Sequence, residues 1–239
     1  MSTIKAIITG TTGMVGEGVL HICLQDPRVE SILIINRRPL GITHPKLKEI
    51  IHNDFYDLSP IESQLAGYNA CFFCLGISSV GLAADEYYKI TYTLTLHVGN
   101  ILSRHNPDMT FCYISGAGTD SSEKGRSRWA RVKGKTENDL MKLPFRKVYA
   151  VRPGFIKPIP GLSRINPVYK YISWVYPIGR ALASNGFCTL QELALAMIRL
   201  ADPSSSAATA APAAGNPATA APSIRAIISG KDIIRLAAV

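Results

Sequence analysis

Three side chains in the middle of the chain have the types and spacing that a reactive site needs. Trp129 and Lys133 lie four residues apart in "SRWARVK", and on a helix that spacing is one turn, so both side chains face the same way. Ser115 ends an apolar run and precedes Trp129 by 14 positions. A lysine can transfer a proton. The Trp129 indole N–H can donate a hydrogen bond, but it is not a usable acid near neutral pH.

A glycine-rich turn follows the first apolar run of the chain. In "AIITGTTGMVGEG", three glycines spaced three apart follow a predicted strand at 4–9 and open a predicted helix at 14–25. Residues without Cβ allow a tight turn and the close approach of a pyrophosphate, whose charge is favoured by the N–H groups and dipole of the helix start. We therefore predict a dinucleotide-binding loop with contacts from Gly10, Thr12, Gly13, Met14, Val15 and Gly16.

The end of the second predicted strand indicates which dinucleotide is bound. Enzymes that prefer NAD usually carry an acid there for the ribose hydroxyls, but this chain has "INRRP". The guanidinium groups of Arg37 and Arg38 suit a 2′-phosphate through charge-assisted hydrogen bonds. The alternative is a loop with two solvated arginines. NADP is the predicted cofactor, and NAD is less favoured.

The first 155 residues alternate short apolar runs with amphipathic segments. Continuous apolar strands between helices are typical of a parallel sheet that is covered on both faces, which predicts a doubly wound α/β (Rossmann) domain over 1–155. The predicted strands are 4–9, 31–36, 47–54, 70–76, 109–115 and 146–154, and a long helix is predicted over 84–105.

The remainder, 156–239, is predicted to form a small C-terminal cap region on the substrate side. Residues 156–188 are rich in proline and aromatic residues, and the stretch 168–180 could instead lie on a membrane surface. Residues 189–201 predict a helix with a capping box from Thr189 and Glu192. The segment 202–222 is nearly all small residues and proline, as in a flexible linker, after which apolar character returns.

Composition limits the function classes. The chain has 239 residues, of which 47% are hydrophobic and 18% are charged, so it can bury a core. The net charge is +9, much of it in 124–135, but no nucleic-acid motif accompanies these residues and we expect no nucleic-acid partner. Cys71 and Cys74 lack a second ligand pair, so we expect buried thiols and no metal site. With no export signal or long apolar span in the sequence, we expect a cytoplasmic protein.

Taken together, these motifs resemble those of the short-chain dehydrogenase/reductase superfamily over residues 3–155. Thr9 to Gly16 match its phosphate loop, Ser115 its serine after strand five, and Arg152 to Gly154 its "RPG". The chain is most similar to the atypical branch that includes the Tat-interacting-protein oxidoreductase and bacterial proteins labelled as nucleoside-diphosphate-sugar epimerases. The resemblance implies further cofactor contacts at Asp54, Phe55, Leu75, Gly76, Lys133 and Pro153.

The resemblance also implies a catalytic role for Ser115 and Lys133, with Trp129 in the position of the family's tyrosine. Three interpretations stay open: another acid acts, from Tyr87, Tyr88, Tyr92, water or Lys133; the protein binds NADP(H) without turnover, as a sensor or scaffold; or Trp129 only anchors the core. We expect an NADP-dependent oxidoreductase or epimerase/dehydratase-like enzyme acting on an unidentified small molecule. Its oligomeric state stays open.

Overall fold

A computed structural model describes residues 3–163, 176, 179–180, 186–205 and 223–238 of the chain. Seven strands form one parallel sheet in the order β3-β2-β1-β4-β5-β6-β9, and two more form a separate parallel pair. The predicted doubly wound α/β class is confirmed. The strands are β1 (Ile4–Thr9), β2 (Val29–Asn36), β3 (Leu47–Ile51), β4 (Ala70–Phe73), β5 (Thr110–Ile114), β6 (Lys147–Val151), β7 (Phe155–Lys157), β8 (Phe187–Thr189) and β9 (Ile224–Ile228).

The helices cover both faces of the sheet. They are α1 (Met14–Gln25), α2 (Ala84–Tyr88), α3 (Leu94–His105), α4 (Arg128–Leu140), α5 (Leu190–Ala201) and α6 (Gly230–Ala237), with a 3₁₀ turn at Ser59–Gln64. A π-helical turn, Lys89–Thr93, joins α2 to α3, so the helix predicted over 84–105 is continuous. The capping box of α5 forms as predicted, with Thr189 Oγ1 accepting from the Glu192 N–H at 3.0 Å.

Alternation along each strand divides the core between the two faces. Ile8 and Phe72 contribute to one hydrophobic cluster together with α1, α5 and α6, whereas Ile7 and Phe73 contribute to the other with α3. Gly18 lets α1 approach α5, since a Cβ at that position would come within 2.1 Å of the Leu190 side chain. The central strands are thus buried on both sides, which explains their near-continuous apolar sequences.

Several predicted strands are too long at their carboxyl ends. β3 ends at Ile51 and β4 at Phe73, so Asp54 and Gly76 lie in the loops that follow. After β3 the chain turns, and the His52 ring Nε2 lies 2.6 Å from the Asp54 carbonyl oxygen and 2.7 Å from that of Asp57. The loops therefore place these residues along the carboxyl edge of the sheet.

The C-terminal segment, where the sequence showed only a return of apolar character, contributes a strand. β9 pairs in parallel with β6 and becomes the edge of the main sheet. Within the predicted cap, residues 164–175, 177–178 and 181–185 lie outside the described residues, and so does most of the stretch considered for a membrane surface. Residues 206–222, which form most of the predicted linker, lie outside them as well. Within the described ranges, no helix combines the length and the apolar character required to cross a membrane.

Arg225 attaches β9 to the segment between α4 and β6. Its guanidinium donates to backbone carbonyls, including those of Met141 at 2.7 Å, Leu143 at 2.9 Å and Phe145 at 2.7 Å. Arg225→Ala should lower the free energy of unfolding by about 2–4 kcal/mol, because several carbonyls lose a charged donor at once. Urea denaturation measures this loss. Arg146→Ala, at an exposed side chain nearby, should have little effect, and equal losses would contradict the assignment.

Candidate functional site

A cleft of about 520 Å³ opens at the carboxyl edge of the sheet, where the strand order reverses between β1 and β4. Ligands of open α/β sheets bind at such a switch point. Loops after β1, β2, β3 and β4 form the walls, and the α2–α3 helix closes one side. The lining residues are Gly10, Thr12, Gly13, Ile35, Asn36, Arg37, Asn53, Asp54, Phe55, Tyr56, Cys74, Leu75, Gly76, Ile77, Glu86, Ile90 and Leu94.

The three glycines of the first loop have different roles. Gly10 has φ +71°, and a Cβ there would lie 2.7 Å from the Cys74 and Leu75 backbone. A Cβ at Gly16 would lie 2.2 Å from the Gly10 carbonyl oxygen. Gly13 is exposed, and a Cβ there would meet only the Gly10 oxygen at 3.4 Å. Gly10 and Gly16 therefore allow close backbone packing, and Gly13 leaves the cleft side open.

The start of α1 faces this loop without a side-chain cap. Gly13 occupies the N-cap position, and the first N–H groups of a helix have no partner within it. The side chains of Met14 and Val15 pack against the core. Met14, Val15 and Gly16, which the sequence predicted as contacts, are absent from the cleft wall.

The two arginines after β2 are placed differently. Arg37 lines the cleft, whereas Arg38 does not. Both side chains are exposed, and neither guanidinium has a hydrogen bond or ion pair within the part of the chain that the structure describes. The predicted pair of phosphate-binding arginines is therefore represented at the cleft wall by Arg37 alone.

Some of the other predicted cofactor contacts line the cleft and others do not. Asp54 and Phe55 line the cleft on one side, and Leu75 and Gly76 line it on the other. The Asp54 Oδ1 accepts from the Tyr56 N–H at 2.8 Å, which fixes the turn. Pro153 is not on the cleft wall, and its carbonyl oxygen accepts from the Ala117 N–H at 2.8 Å.

Ser115 and Lys133 meet just after β5, and neither residue lines the cleft. Phe73 pairs with Tyr113, so Leu75 on the cleft wall and Ser115 each follow a paired residue of the adjacent strands β4 and β5 by two positions. The Lys133 Nζ donates to the Ser115 carbonyl oxygen. Burial lowers the pKa of Lys133 to about 8, partly opposed by the nearby Glu137 carboxylate. The Ser115 hydroxyl donates to the Val151 carbonyl oxygen at 3.2 Å.

Trp129 stands one turn before Lys133 and covers the loop after β5. A Cβ at Gly118 would lie 3.4 Å from Cη2 of the indole, so the ring rests against this glycine. Trp129 is half-buried, and its N–H has no acceptor within the described ranges. The ring is thus a partly exposed wall and does not belong to the buried core.

Two of the three tyrosines considered as substitute acids are bonded or buried. Tyr92 donates its hydroxyl to Asp139 Oδ2 at 2.8 Å, and the Tyr88 ring stacks on Tyr92 with ring centroids 4.8 Å apart. Tyr87 is only 1% exposed, and burial raises its pKa. The Tyr92 phenol is therefore bonded and Tyr87 is buried, whereas the Tyr88 hydroxyl has no hydrogen bond within the described residues.

A buried ion pair supports the helix that carries Lys133. Glu137, one turn further along α4, is 1% exposed and accepts from the Arg152 Nε at 3.0 Å. Arg152 also donates to Ser121 Oγ in the loop before α4. The sequence motif "RPG" singled out Arg152, but its partner lies 15 residues away and carries no local signal. Asn53, Tyr56 and Glu86 are further cleft residues that sequence reasoning missed.

Solved structures with this architecture include dehydrogenases and epimerases. Uronate dehydrogenase from Agrobacterium tumefaciens superposes with a TM-score of 0.62 at 15% identity, covering 85% of this chain and 74% of that one. A UDP-N-acetylglucosamine 4-epimerase from Methanobrevibacter ruminantium gives 0.59 at 16% identity, with the same coverage. The protein has the short-chain dehydrogenase/reductase fold. WbmG from Bordetella bronchiseptica, solved in complex with NAD, also has this fold, with a TM-score of 0.62 at 14% identity over 85% of this chain and 70% of WbmG.

Sequence relatives come from yeasts and other fungi. Protein FMP52-1, mitochondrial, of Scheffersomyces stipitis is 24% identical over 154 residues, which is 64% of this chain and 67% of that protein. Protein FMP52, mitochondrial, of Saccharomyces cerevisiae is 24% identical over 152 residues, covering 63% and 64%. The chain thus spans about two thirds of the length of these curated relatives. No protein-family model matches the sequence.

The expected cytoplasmic location is wrong, because the relatives that match this sequence are named as mitochondrial proteins. The expectation depended on the lack of a secretory signal and of a long apolar span. Those features bear on export and membrane insertion, but mitochondrial targeting uses signals of a different kind, which are amphipathic and arginine-rich.

Proposed function

We propose that the protein is an NADP(H)-dependent oxidoreductase of the short-chain dehydrogenase type that acts on a small carbonyl compound and uses Lys133 as its proton donor. The observation that carries this proposal is the placement of Lys133, a lysine with a pKa of about 8, on the Ser115 carbonyl, just after the strand that pairs with β4. A proton donor works best when its pKa is near the working pH. The names of the fungal relatives support a mitochondrial location.

The cleft supports a dinucleotide. Gly13 is open towards it, the start of α1 has no side-chain cap, and Arg37 offers a guanidinium that is unpaired among the described residues and could bind a 2′-phosphate. A nicotinamide coenzyme would supply the hydride. The loop glycines would bind its pyrophosphate, and Leu75 and Gly76 would lie along its course towards Lys133.

The chain's own side chains would then supply the proton and exclude water from the reacting carbonyl. A lysine ammonium has three N–H donors, and Lys133 uses one of them on the Ser115 carbonyl. The remaining donors can bind the substrate oxygen and deliver a proton to it as the carbonyl is reduced. The Trp129 ring would contribute a flat apolar wall that excludes water. The reverse reaction requires Lys133 in its neutral form.

A second candidate function is a non-catalytic NADP(H) sensor or scaffold. Two observations favour it: the Ser115 hydroxyl is held by the Val151 carbonyl, and an indole occupies the position where the family has a phenol. Such a protein would bind the coenzyme without consuming it and would change its affinity for a partner with the redox state of the coenzyme.

Arg37→Ala should raise the Kd for NADPH by about 10- to 100-fold, the effect of losing a charged hydrogen-bond donor, and should leave the Kd for NADH near its wild-type value. Fluorescence titration of both coenzymes measures this. Arg38→Ala is the matched control, because this side chain is absent from the cleft wall, and we expect a smaller loss.

The same titration tests the proposed function. Wild type that binds NADPH more tightly than NADH and consumes it with a member of a carbonyl panel supports the oxidoreductase. NADPH binding without consumption favours the sensor. Equal losses for the two coenzymes in Arg37→Ala would contradict the preference for NADP.

A further inference from the structure

A single carboxylate oxygen closes the turn that carries Arg37. Glu49 lies on β3, where it pairs with Ile34 of β2. Its Oε1 accepts from the Asn36 Nδ2 at 2.8 Å and from the Leu40 N–H at 3.0 Å. One oxygen therefore binds both the first and the last residue of the turn 36–40.

The start of this turn is also attached to the phosphate loop. Thr11 Oγ1 donates to the Asn36 Oδ1 at 2.8 Å, and the two residues are 0% and 3% exposed. The Asn36 amide is therefore engaged on both sides, by Thr11 and by Glu49. A buried amide held in this way cannot reorient without leaving a polar atom unsatisfied. The turn thus has a fixed position relative to the loop that contains Gly10 and Gly13.

The far end of the turn depends on Glu49. Pro39 has no N–H, so the Leu40 N–H is the donor that closes the turn onto the carboxylate. Of the two arginines between Asn36 and Leu40, Arg37 lies on the cleft wall and Arg38 does not. The Glu49 carboxylate therefore holds the backbone on either side of the arginine that faces the cleft.

We infer that Glu49 is a positioning residue that sets the preference for a 2′-phosphorylated coenzyme by holding the turn 36–40 so that Arg37 faces the cleft. The inference rests on the proposed function, since it concerns the same dinucleotide. It assigns coenzyme selection to a residue of β3 in addition to the residues that follow β2. Its effect is selective, because NADH has no 2′-phosphate for Arg37 to bind.

Glu49→Ala in the full chain should raise the Kd for NADPH by about tenfold, the order of magnitude of one lost hydrogen bond to a charged group, and should leave the Kd for NADH near its wild-type value. The readout is the ratio of the two constants from fluorescence titration, which requires no turnover. Thermal denaturation without coenzyme checks that the variant is folded.

Two variants sharpen the test. Glu49→Gln retains an oxygen that can accept from Asn36 and Leu40, so it should restore most of the preference for NADPH. Glu30→Ala is the matched control: Glu30 is also a strand carboxylate with partners, Thr3 and Lys5, but it stands at the opposite end of β2. This variant should keep the wild-type ratio.

The outcomes separate the inference from the function that it rests on. A wild-type preference for NADPH that persists in a folded Glu49→Ala would overturn the inference alone, as would an equal loss for both coenzymes. Wild type that binds neither coenzyme would overturn the proposed function and the inference with it. A selective loss in the alanine variant, restored in the glutamine variant, supports both.

Discussion

Replacing Lys133 with methionine should lower kcat for carbonyl reduction by about 10²- to 10⁴-fold, the contribution of general acid catalysis. Methionine has a similar length and no proton to give. Lys133 is the titratable side chain that bonds to Ser115, whereas Tyr92 is bound to Asp139 and Tyr87 is buried. Steady-state rates at saturating NADPH measure the effect on the chemical step.

Lys135→Met is the matched control for this prediction. Lys135 lies two residues further along α4, pairs with Asp139 at 3.0 Å and covers the Tyr92 ring at 5.0 Å. The same substitution there removes a charge from the same helix without touching Ser115. Similar rate losses in the two variants would contradict the role given to Lys133, as would a folded Lys133→Met with unchanged kcat.

Because the pKa of Lys133 is about 8, the proposed role predicts how the reaction rates change with pH. The ammonium is present below this value and is lost as the pH rises through it. Carbonyl reduction should therefore be nearly independent of Lys133 ionisation below pH 8 and fall above it, whereas alcohol oxidation should rise over the same interval. In Lys133→Arg the guanidinium stays charged, so the transition near pH 8 should vanish from the rate profile.

The first strand, the first helix and the loop between them follow from the sequence with little ambiguity. A buried run, a turn that needs glycine and an amphipathic helix agree with one another, and the predicted bounds of β1 and α1 match the structure. β9 illustrates the opposite case. Its partner β6 lies more than seventy residues earlier, across a segment of small residues. Their pairing is therefore a long-range tertiary contact that no local sequence pattern indicates.

The candidate site likewise combines features that the local sequence predicts with features that depend on tertiary contacts. Glycine positions and the spacing of Trp129 and Lys133 are local features, and they identified the loop and the helix face. The direction of the Ser115 hydroxyl was not predictable, because it depends on the Val151 carbonyl of the adjacent strand. Nor did the sequence indicate that Glu49 closes the turn of Arg37, since the two segments meet only when β2 and β3 pair.

Trp129→Tyr should raise kcat for carbonyl reduction by about 10²-fold, at the low end of what a positioned general acid contributes. The phenol would stand one turn before Lys133, whose charge would lower its pKa and favour proton transfer. The indole rests on Gly118, which has no side chain, so the smaller ring can be accommodated without rearrangement of the loop. Steady-state kinetics with the same carbonyl panel and saturating NADPH provide the measurement.

Trp129→Phe isolates the hydroxyl in this prediction, because it removes the indole and adds no acid. A gain in the tyrosine variant without a gain in the phenylalanine variant assigns the effect to proton transfer. Equal gains would mean that the indole had restricted substrate access, and no gain would show that a proton is not needed at this position. If wild type consumes no NADPH and only the tyrosine variant does, the natural protein is better described as a coenzyme-binding sensor on a dehydrogenase scaffold.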